Sequence, residues 1–257
     1  MKKEKRIIYY QDELNDEFSK AKITPRIIDE KYIYEHKSFW WNFASFVLQN
    51  IVSMPIKIIY GKVKLRIKYI GKEKLKQYKK TGYFVYVNHT QEFADVFIPS
   101  LPIYPKRNYF IVNPENVSMK FLGNTVQMLG AIPIPNNLKA MKKFLDSLKT
   151  KINKNYAITI YPEAHIWPFY TKIRPFKSVS FRYPVQMEKP TFCMTNTYQK
   201  YGKDEFRVIT YIDGPFFTDK NKTLKERQQE LRNTVYNTMV ERSNNSNYEH
   251  IKYVKSL

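Results

Sequence analysis

Apolar residues fall along this chain in short blocks, and the spacing within the blocks changes from one to the next. TGYFVYV, ending at Val87, is almost continuously apolar, as a strand buried on both faces is. Comparable β-like runs follow at NYFIV (108–112), AIPI (131–134), YAITIY (156–161), TFCMTNTY (191–198) and FRVITYI (206–212). KLRIKYI (64–70) alternates polar and apolar residues, the mark of a half-buried strand. Between these runs the period changes to that of a helix, over 72–80, 116–130 and 137–152. A short helix is predicted near DELNDEFSKAKI (12–23). Near the end of the chain, Leu224, Leu231, Val235 and Met239 share one face of a closing amphipathic helix. Thr223 is its N-cap, and Glu226 completes a capping box. Strands alternating with helices predict an α/β sandwich, a mostly parallel central sheet flanked by helices.

One stretch departs from this pattern. From Ser38 to Ile56 no residue is charged, and the run opens on Phe39, Trp40 and Trp41. Its length approaches that of a membrane span. However, it contains Asn42, Gln49, Asn50 and several serines, with Lys37 before it and Lys57, Lys62, Lys64 and Arg66 after it. Aromatic residues at one end and lysines at the edges favour a helix lying in the membrane interface over a buried core helix or a true span. The expected organisation is an N-terminal helical, membrane-interface segment (1–62) preceding an α/β domain (63–257).

Composition sharpens this picture in two ways. The 44 Lys and Arg against 23 Asp and Glu give a net charge of +21, which favours anionic partners such as an anionic lipid surface. Much of that excess accompanies a general richness in Lys, Ile, Tyr and Asn, so charge alone names no partner. Aromatic and basic residues are not interleaved as in a single-strand nucleic-acid platform, which sets nucleic acid aside. The single cysteine, Cys193, precludes an internal disulfide and fits a reducing compartment. MKKEKRIIYY at the start does not read as a secretory signal. The expected location is the cytoplasmic face of the cell membrane, in a peripheral or monotopic attachment.

Several chemistries lack their residues. The seven glycines form no phosphate-cradling loop, no serine sits in a nucleophile elbow, and no Cys/His spacing suits a metal. Cys193 lies in an apolar run and reads as a buried thiol. Of the four histidines, His36 and His250 lie in charged surroundings. His89 and His165 each follow a strand-like run directly, where ligands bind in open α/β sheets.

Asn88-His89 with Asp95 downstream resembles the signature of the glycerolipid acyltransferases, the 1-acyl-sn-glycerol-3-phosphate (lysophospholipid) acyltransferase family. Three further blocks occur in the same order. Gly130-Ala131-Ile132-Pro133-Ile134 is similar to the family's Gly-x-Ile block. ITIYPEAH (158–165) is similar to its strand-end Phe-Pro-Glu-Gly-Thr-Arg block through Tyr161, Pro162 and Glu163. Phe176, Lys177 and Pro190 stand where the Phe-Lys stretch and a proline-led strand are expected. Together these blocks cover roughly residues 80–215.

The resemblance implies an enzyme that moves a fatty acyl group from a thioester, on acyl-carrier protein or coenzyme A, to the hydroxyl of a lyso-lipid such as 1-acyl-glycerol-3-phosphate in phospholipid biosynthesis. No bound cofactor and no metal are implied. His89 would be the general base and Asp95 its partner. Asn88 would shape the turn, Glu163 would organise the acceptor site, and Pro190 would help line the acyl site. Five residues separate His89 from Asp95 where the family usually has four, which leaves Glu92 as a rival partner. Ala164, His165 and Ile166 replace the family's Gly, Thr and Arg, so Lys106, Arg107, Lys139, Arg174 and Lys177 are the candidates to meet the acceptor's phosphate, with Arg174 and Lys177 favoured because they follow this block. His165 either bonds the acceptor or bonds backbone at the strand end. The competing reading is a non-catalytic, membrane-surface lipid-binding protein on a degenerate acyltransferase fold.

Overall fold

The computed structural model describes residues 6–18, 23–119, 122–203 and 205–256. The chain starts with strand β1 (Arg6–Tyr10) and then a long helix, α1 (Phe39–Lys64). A short strand β2 (Lys68–Ile70), helix α2 (Lys72–Lys76) and strand β3 (Tyr83–Val87) follow. Next come helix α3 (Phe97–Ile103), strand β4 (Asn108–Val112), helix α4 (Gly123–Met128), strand β5 (Ala131–Pro133), helix α5 (Leu138–Asn153) and strand β6 (Ala157–Ile160). The last part holds helix α6 (Arg182–Met187), the long strands β7 (Thr191–Tyr201) and β8 (Glu205–Phe216), helix α7 (Leu224–Ser243) and strand β9 (Ile251–Lys255).

The central sheet has seven strands in the order β2-β8-β7-β3-β6-β4-β5. Every neighbouring pair is parallel except β7 and β8. The mixed α/β class with a mostly parallel, helix-flanked sheet is therefore the one the hydrophobic pattern predicts. The alternation along β3 shows why its sequence is continuously apolar. Phe84 and Tyr86 enter one core with Phe144, Leu148, Leu231 and Val235 from α5 and α7. Tyr83, Val85 and Val87 enter the opposite core with Leu75 and Ile103 from α2 and α3. Both faces of the strand are buried, so both sets of alternating positions must be apolar. The entry to β5 needs Gly130. Its φ is 110°, and a Cβ there would lie 2.8 Å from the Asn108 carbonyl oxygen.

β1 and β9 form a separate parallel pair, which ties the two ends of the chain together. α1 carries π-helical turns at Val47–Ser53 and Tyr60–Lys64. One side of it docks on the domain at both ends. Ser45 donates to the Met128 carbonyl at 2.6 Å, and Lys57 reaches Ser100 Oγ at 3.3 Å. The opposite side presents Phe39, Trp40, Phe43, Phe46, Ile51, Ile59 and Val63 to solvent, with Trp40 73% exposed.

Three local predictions change. Residues 12–16 form a turn, not the start of a helix. Asp16 accepts from the N–H groups of Gln11 and Asp12, and Asp12 accepts from that of Leu14, so side-chain bonds hold the turn. Residues 19–22 of that segment lie outside the described part. In KLRIKYI only Lys68–Ile70 is strand, because α1 continues through Lys64. The helix expected over 116–130 is split into a 3-10 turn, Pro114–Val117, and α4. Ser118 Oγ bonds back to the Pro114 carbonyl at the break.

Candidate active site

β3 ends at Val87, and the next two residues are fixed from both sides. The Asn88 amide clamps β7, accepting from the Asn196 N–H at 2.8 Å and donating to the Asn196 carbonyl at 3.1 Å. The His89 N–H donates to Glu163 Oε2 at 2.8 Å. The His89 carbonyl accepts from the Trp167 N–H at 3.1 Å, and that of Thr90 from the Phe169 N–H at 2.8 Å. The loop after β3 is thus stitched to the loop after β6 and to β7.

The imidazole of His89 lies between two residues. Its Nδ1 is 2.5 Å from Asp95 Oδ2. Its face stacks on Tyr161, with ring centroids 4.5 Å apart and planes inclined by 28°. The Tyr161 hydroxyl donates to the Asp95 carbonyl, so the ring under His89 also holds the backbone of its partner. With a carboxylate on Nδ1, the proton resides there and Nε2 carries the free lone pair. Nε2 has no hydrogen bond among the described residues, and the side chain is 23% exposed. The histidine is therefore open to a ligand on one nitrogen and held on the other.

The long spacer is absorbed before the helix begins. Residues 92–96 are a turn, and α3 starts only at Phe97. Asp95 is 4% exposed and also accepts from the Gln91 N–H at 3.1 Å. Glu92 is exposed and makes no bond to His89. Burial pushes the Asp95 carboxyl above the usual range, opposed by the bonds from His89 and the loop N–H.

Glu163 and Arg174, expected at the acceptor, are 4% and 1% exposed. Glu163 Oε1 accepts from the Arg174 N–H at 2.8 Å, and the Arg174 guanidinium lies 3.8 Å from Oε2. That guanidinium also donates to the carbonyls of His165 and Glu13 and covers the Trp167 ring at 4.8 Å. Their polar groups serve the two loops, not an open surface. Burial raises the Glu163 carboxyl, while Arg174 and the N–H of His89 lower it. His165 is part-exposed, and its Nδ1 faces Glu17 at 3.5 Å. Lys177 is exposed beyond buried Phe176 and has no ion pair among the described residues. Pro190 lies at the other end of the sheet, where its carbonyl accepts from the Phe84 N–H at 3.0 Å. Five strand positions separate Phe84 from His89, about 16 Å. Cys193 is fully buried and burial pushes its thiol up, so it offers no nucleophile. No cluster that could hold a metal ion occurs among the described residues.

Two features of the site were not singled out as such from the sequence. Tyr161 was noted only as part of its block, yet it forms the surface under His89. Tyr198 joins Thr90 and Gln91, accepting from Gln91 Nε2 and bonding Thr90 Oγ1, both at 2.8 Å. The signal for Tyr161 was its position one residue past a buried strand, level with His89. Nothing local marked Tyr198.

A family model described as Acyltransferase matches residues 66–197, just over half of the chain. Among solved structures, the fold is similar to that of the 1-acyl-sn-glycerophosphate (LPA) acyltransferase PlsC from Thermotoga maritima. The TM-score is 0.54 and the identity 17%, covering 80% of this chain and 88% of that one. No curated protein matches the chain.

Proposed function

The chain belongs to the acyltransferase family, and from that premise we propose that it transfers a fatty acyl group from a thioester of acyl-carrier protein or coenzyme A to the hydroxyl of a lyso-lipid such as 1-acyl-glycerol-3-phosphate. The observation that carries this reading is the His89–Asp95 contact at 2.5 Å with Nε2 open. His89 Nε2 takes the proton of the acceptor hydroxyl as its oxygen attacks the thioester carbonyl. Asp95 holds the tautomer and stabilises the imidazolium. When the C–S bond breaks, the imidazolium returns the proton to the departing sulfur, and no acyl-enzyme forms.

The neighbouring residues divide into two groups. Asn88, Glu163 and Arg174 position the catalytic loop through backbone bonds. Lys177, three residues beyond Arg174 and exposed, is the cation we assign to the acceptor's phosphate, with His165, in the loop after β6, as a second polar contact. A lining role for Pro190 requires the acyl chain to run along most of β3. The non-catalytic alternative would have gained from a His89 with no carboxylate in reach, and Asp95 is in reach.

We assign α1 to the membrane interface. It is long and apolar enough to cross a bilayer, with an 18-residue stretch of mean hydropathy 1.3 of which 17% is buried. Its docking at both Ser45 and Lys57 favours a helix lying along the domain with its apolar side toward lipid. That arrangement keeps the site beside an acceptor that seldom leaves the bilayer, at an anionic cytoplasmic surface.

The test is acyl transfer by the purified protein to lysophosphatidate and other lyso-acceptors, with each thioester donor in turn, read by product mass. His89→Ala abolishes product, Asp95→Asn lowers kcat by about 10²–10⁴ and Glu92→Gln leaves it near wild type. Full activity in a folded His89→Ala protein would refute the mechanism.

A further inference from the structure

A cavity of about 620 Å³ opens at the amino ends of β3, β4 and β6, the edge of the sheet opposite His89. Phe46 and Met54 of α1 form one wall, Ser100 and Ile103 of α3 another, and Tyr83 and Asn108 the floor. Among the described residues, seven cationic side chains line it and no carboxylate does.

The cations lie at two depths. Lys57 is 4% exposed, and among the described residues its ammonium has only Ser100 Oγ at 3.3 Å and the Phe97 ring at 6.0 Å. Burial lowers its pKa to about 8. Arg107 is held through Nη2 by Ser45 Oγ and the Met128 carbonyl, while its Nε is buried without a partner. Asn108 is 3% exposed. Its Oδ1 accepts from Thr159 at 2.9 Å, and its Nδ2 is buried without a partner. Lys72, Lys76, Lys79 and Lys154 form an exposed rim. Lys106 is different, since its ammonium is already committed to the carbonyls of Lys79, Thr81 and Asn155.

A buried ammonium with no counter-charge is costly, and a buried N–H without an acceptor adds to the cost. Here the residues that carry a buried, uncompensated ammonium, a guanidinium and an amide line one space with four rim lysines. A ligand offering several anionic oxygens supplies the counter-charge that this lining lacks, which a single water does not. The volume suits a small organic molecule more than a bare ion. We propose that this cavity binds the phosphate group of a phosphate ester, supplied either by an anionic lipid headgroup or by a soluble ester. The site rests on the cavity alone and is independent of the acyl-transfer reading.

The experiment uses the full chain in non-ionic detergent, titrated calorimetrically at low salt with glycerol 3-phosphate and with inorganic phosphate. A parallel arm measures flotation with phosphatidylcholine vesicles with and without phosphatidate. Saturable binding is expected, weakened about tenfold by Lys57→Met and by the rim pair Lys76→Gln/Lys79→Gln, and unchanged by His89→Ala. Sensitivity to these variants in the soluble arm identifies a soluble ester as sufficient. The same sensitivity confined to phosphatidate vesicles identifies the lipid headgroup. Absence of binding in both arms overturns the proposal. So does binding that ignores both pocket variants, or that is lost instead in Lys177→Ala.

Discussion

Two buried charges define opposite ends of the molecule, and each has a measurable consequence. Glu163 accepts from the N–H groups of His89 and Arg174 and faces the Arg174 guanidinium. Glu163→Gln supplies one acceptor oxygen for two donors and leaves Arg174 with less compensation. The expected loss is about 3 kcal/mol of stability, read as a lower Tm, with kcat reduced because His89 loses its anchor. Lys57 is the reverse case, a charge buried without a carboxylate. Its folded pKa, about 8, lies below the ordinary 10.5, so the unfolded chain holds that proton more tightly. The penalty is full below pH 8, fades between about pH 8 and 10.5, and amounts to a few kcal/mol at neutral pH. Lys57→Met is therefore expected to unfold at a higher temperature than wild type at pH 7, with the gap closing as pH rises to 10. A gap independent of pH would show that packing, not charge, separates the two proteins.

α1 differs from the other long helices in which side it buries. α5 and α7 bury their apolar stripes against the sheet, and the capping box at Thr223 and Glu226 forms as the sequence predicts. α1 buries Ser45, Met54, Lys57 and Gly61 and leaves Phe39, Trp40, Phe43 and Phe46 outside. Trp40 and Phe43 touch little of the domain, so replacing both with Ser should leave the circular dichroism spectrum unchanged. Vesicle association should weaken by at least about tenfold, since each aromatic adds about 2 kcal/mol when it leaves water. Sedimentation with vesicles measures this. Unaltered association would move the membrane contact to another face. Over residues 12–16 the structure has a turn held by the Asp12 and Asp16 side chains in place of the start of the predicted helix.

For the whole molecule, the net charge of +21 acts together with α1. Attraction to an anionic surface is screened over about 10 Å at 0.1 M salt, whereas burial of Trp40 and Phe43 is not. Association with anionic vesicles should therefore fall several-fold between 0.05 and 0.5 M NaCl and level off at the value seen with zwitterionic vesicles. Association that ignores salt would leave the charge without a role at the membrane. The pairing of β1 with β9 closes the chain on itself, and the Trp167 ring stacks on Tyr253 of β9 at 5.1 Å. The loop behind His89 is thereby packed against β1 and β9.

The amino-acid sequence marked the strands of the central sheet, most clearly β3, whose two buried faces require apolar residues throughout, but not the β1–β9 pair, and it carried His89, Asp95 and the YPE block in recognisable order. It also marked α1 as unusual by its lack of charge. It could not decide between Asp95 and Glu92, since that depends on whether residues 92–96 turn or coil, a choice made by Asp95 being drawn into the buried space beside Tyr161. Nor could it reveal that Glu163 and Arg174 are buried together, or that Lys57, Arg107 and Asn108 meet in one cavity. Lys57 lies 50 residues before the adjacent Arg107 and Asn108, and only the docking of α1 at the edge where the sheet gathers the amino ends of β3, β4 and β6 brings them to one cavity.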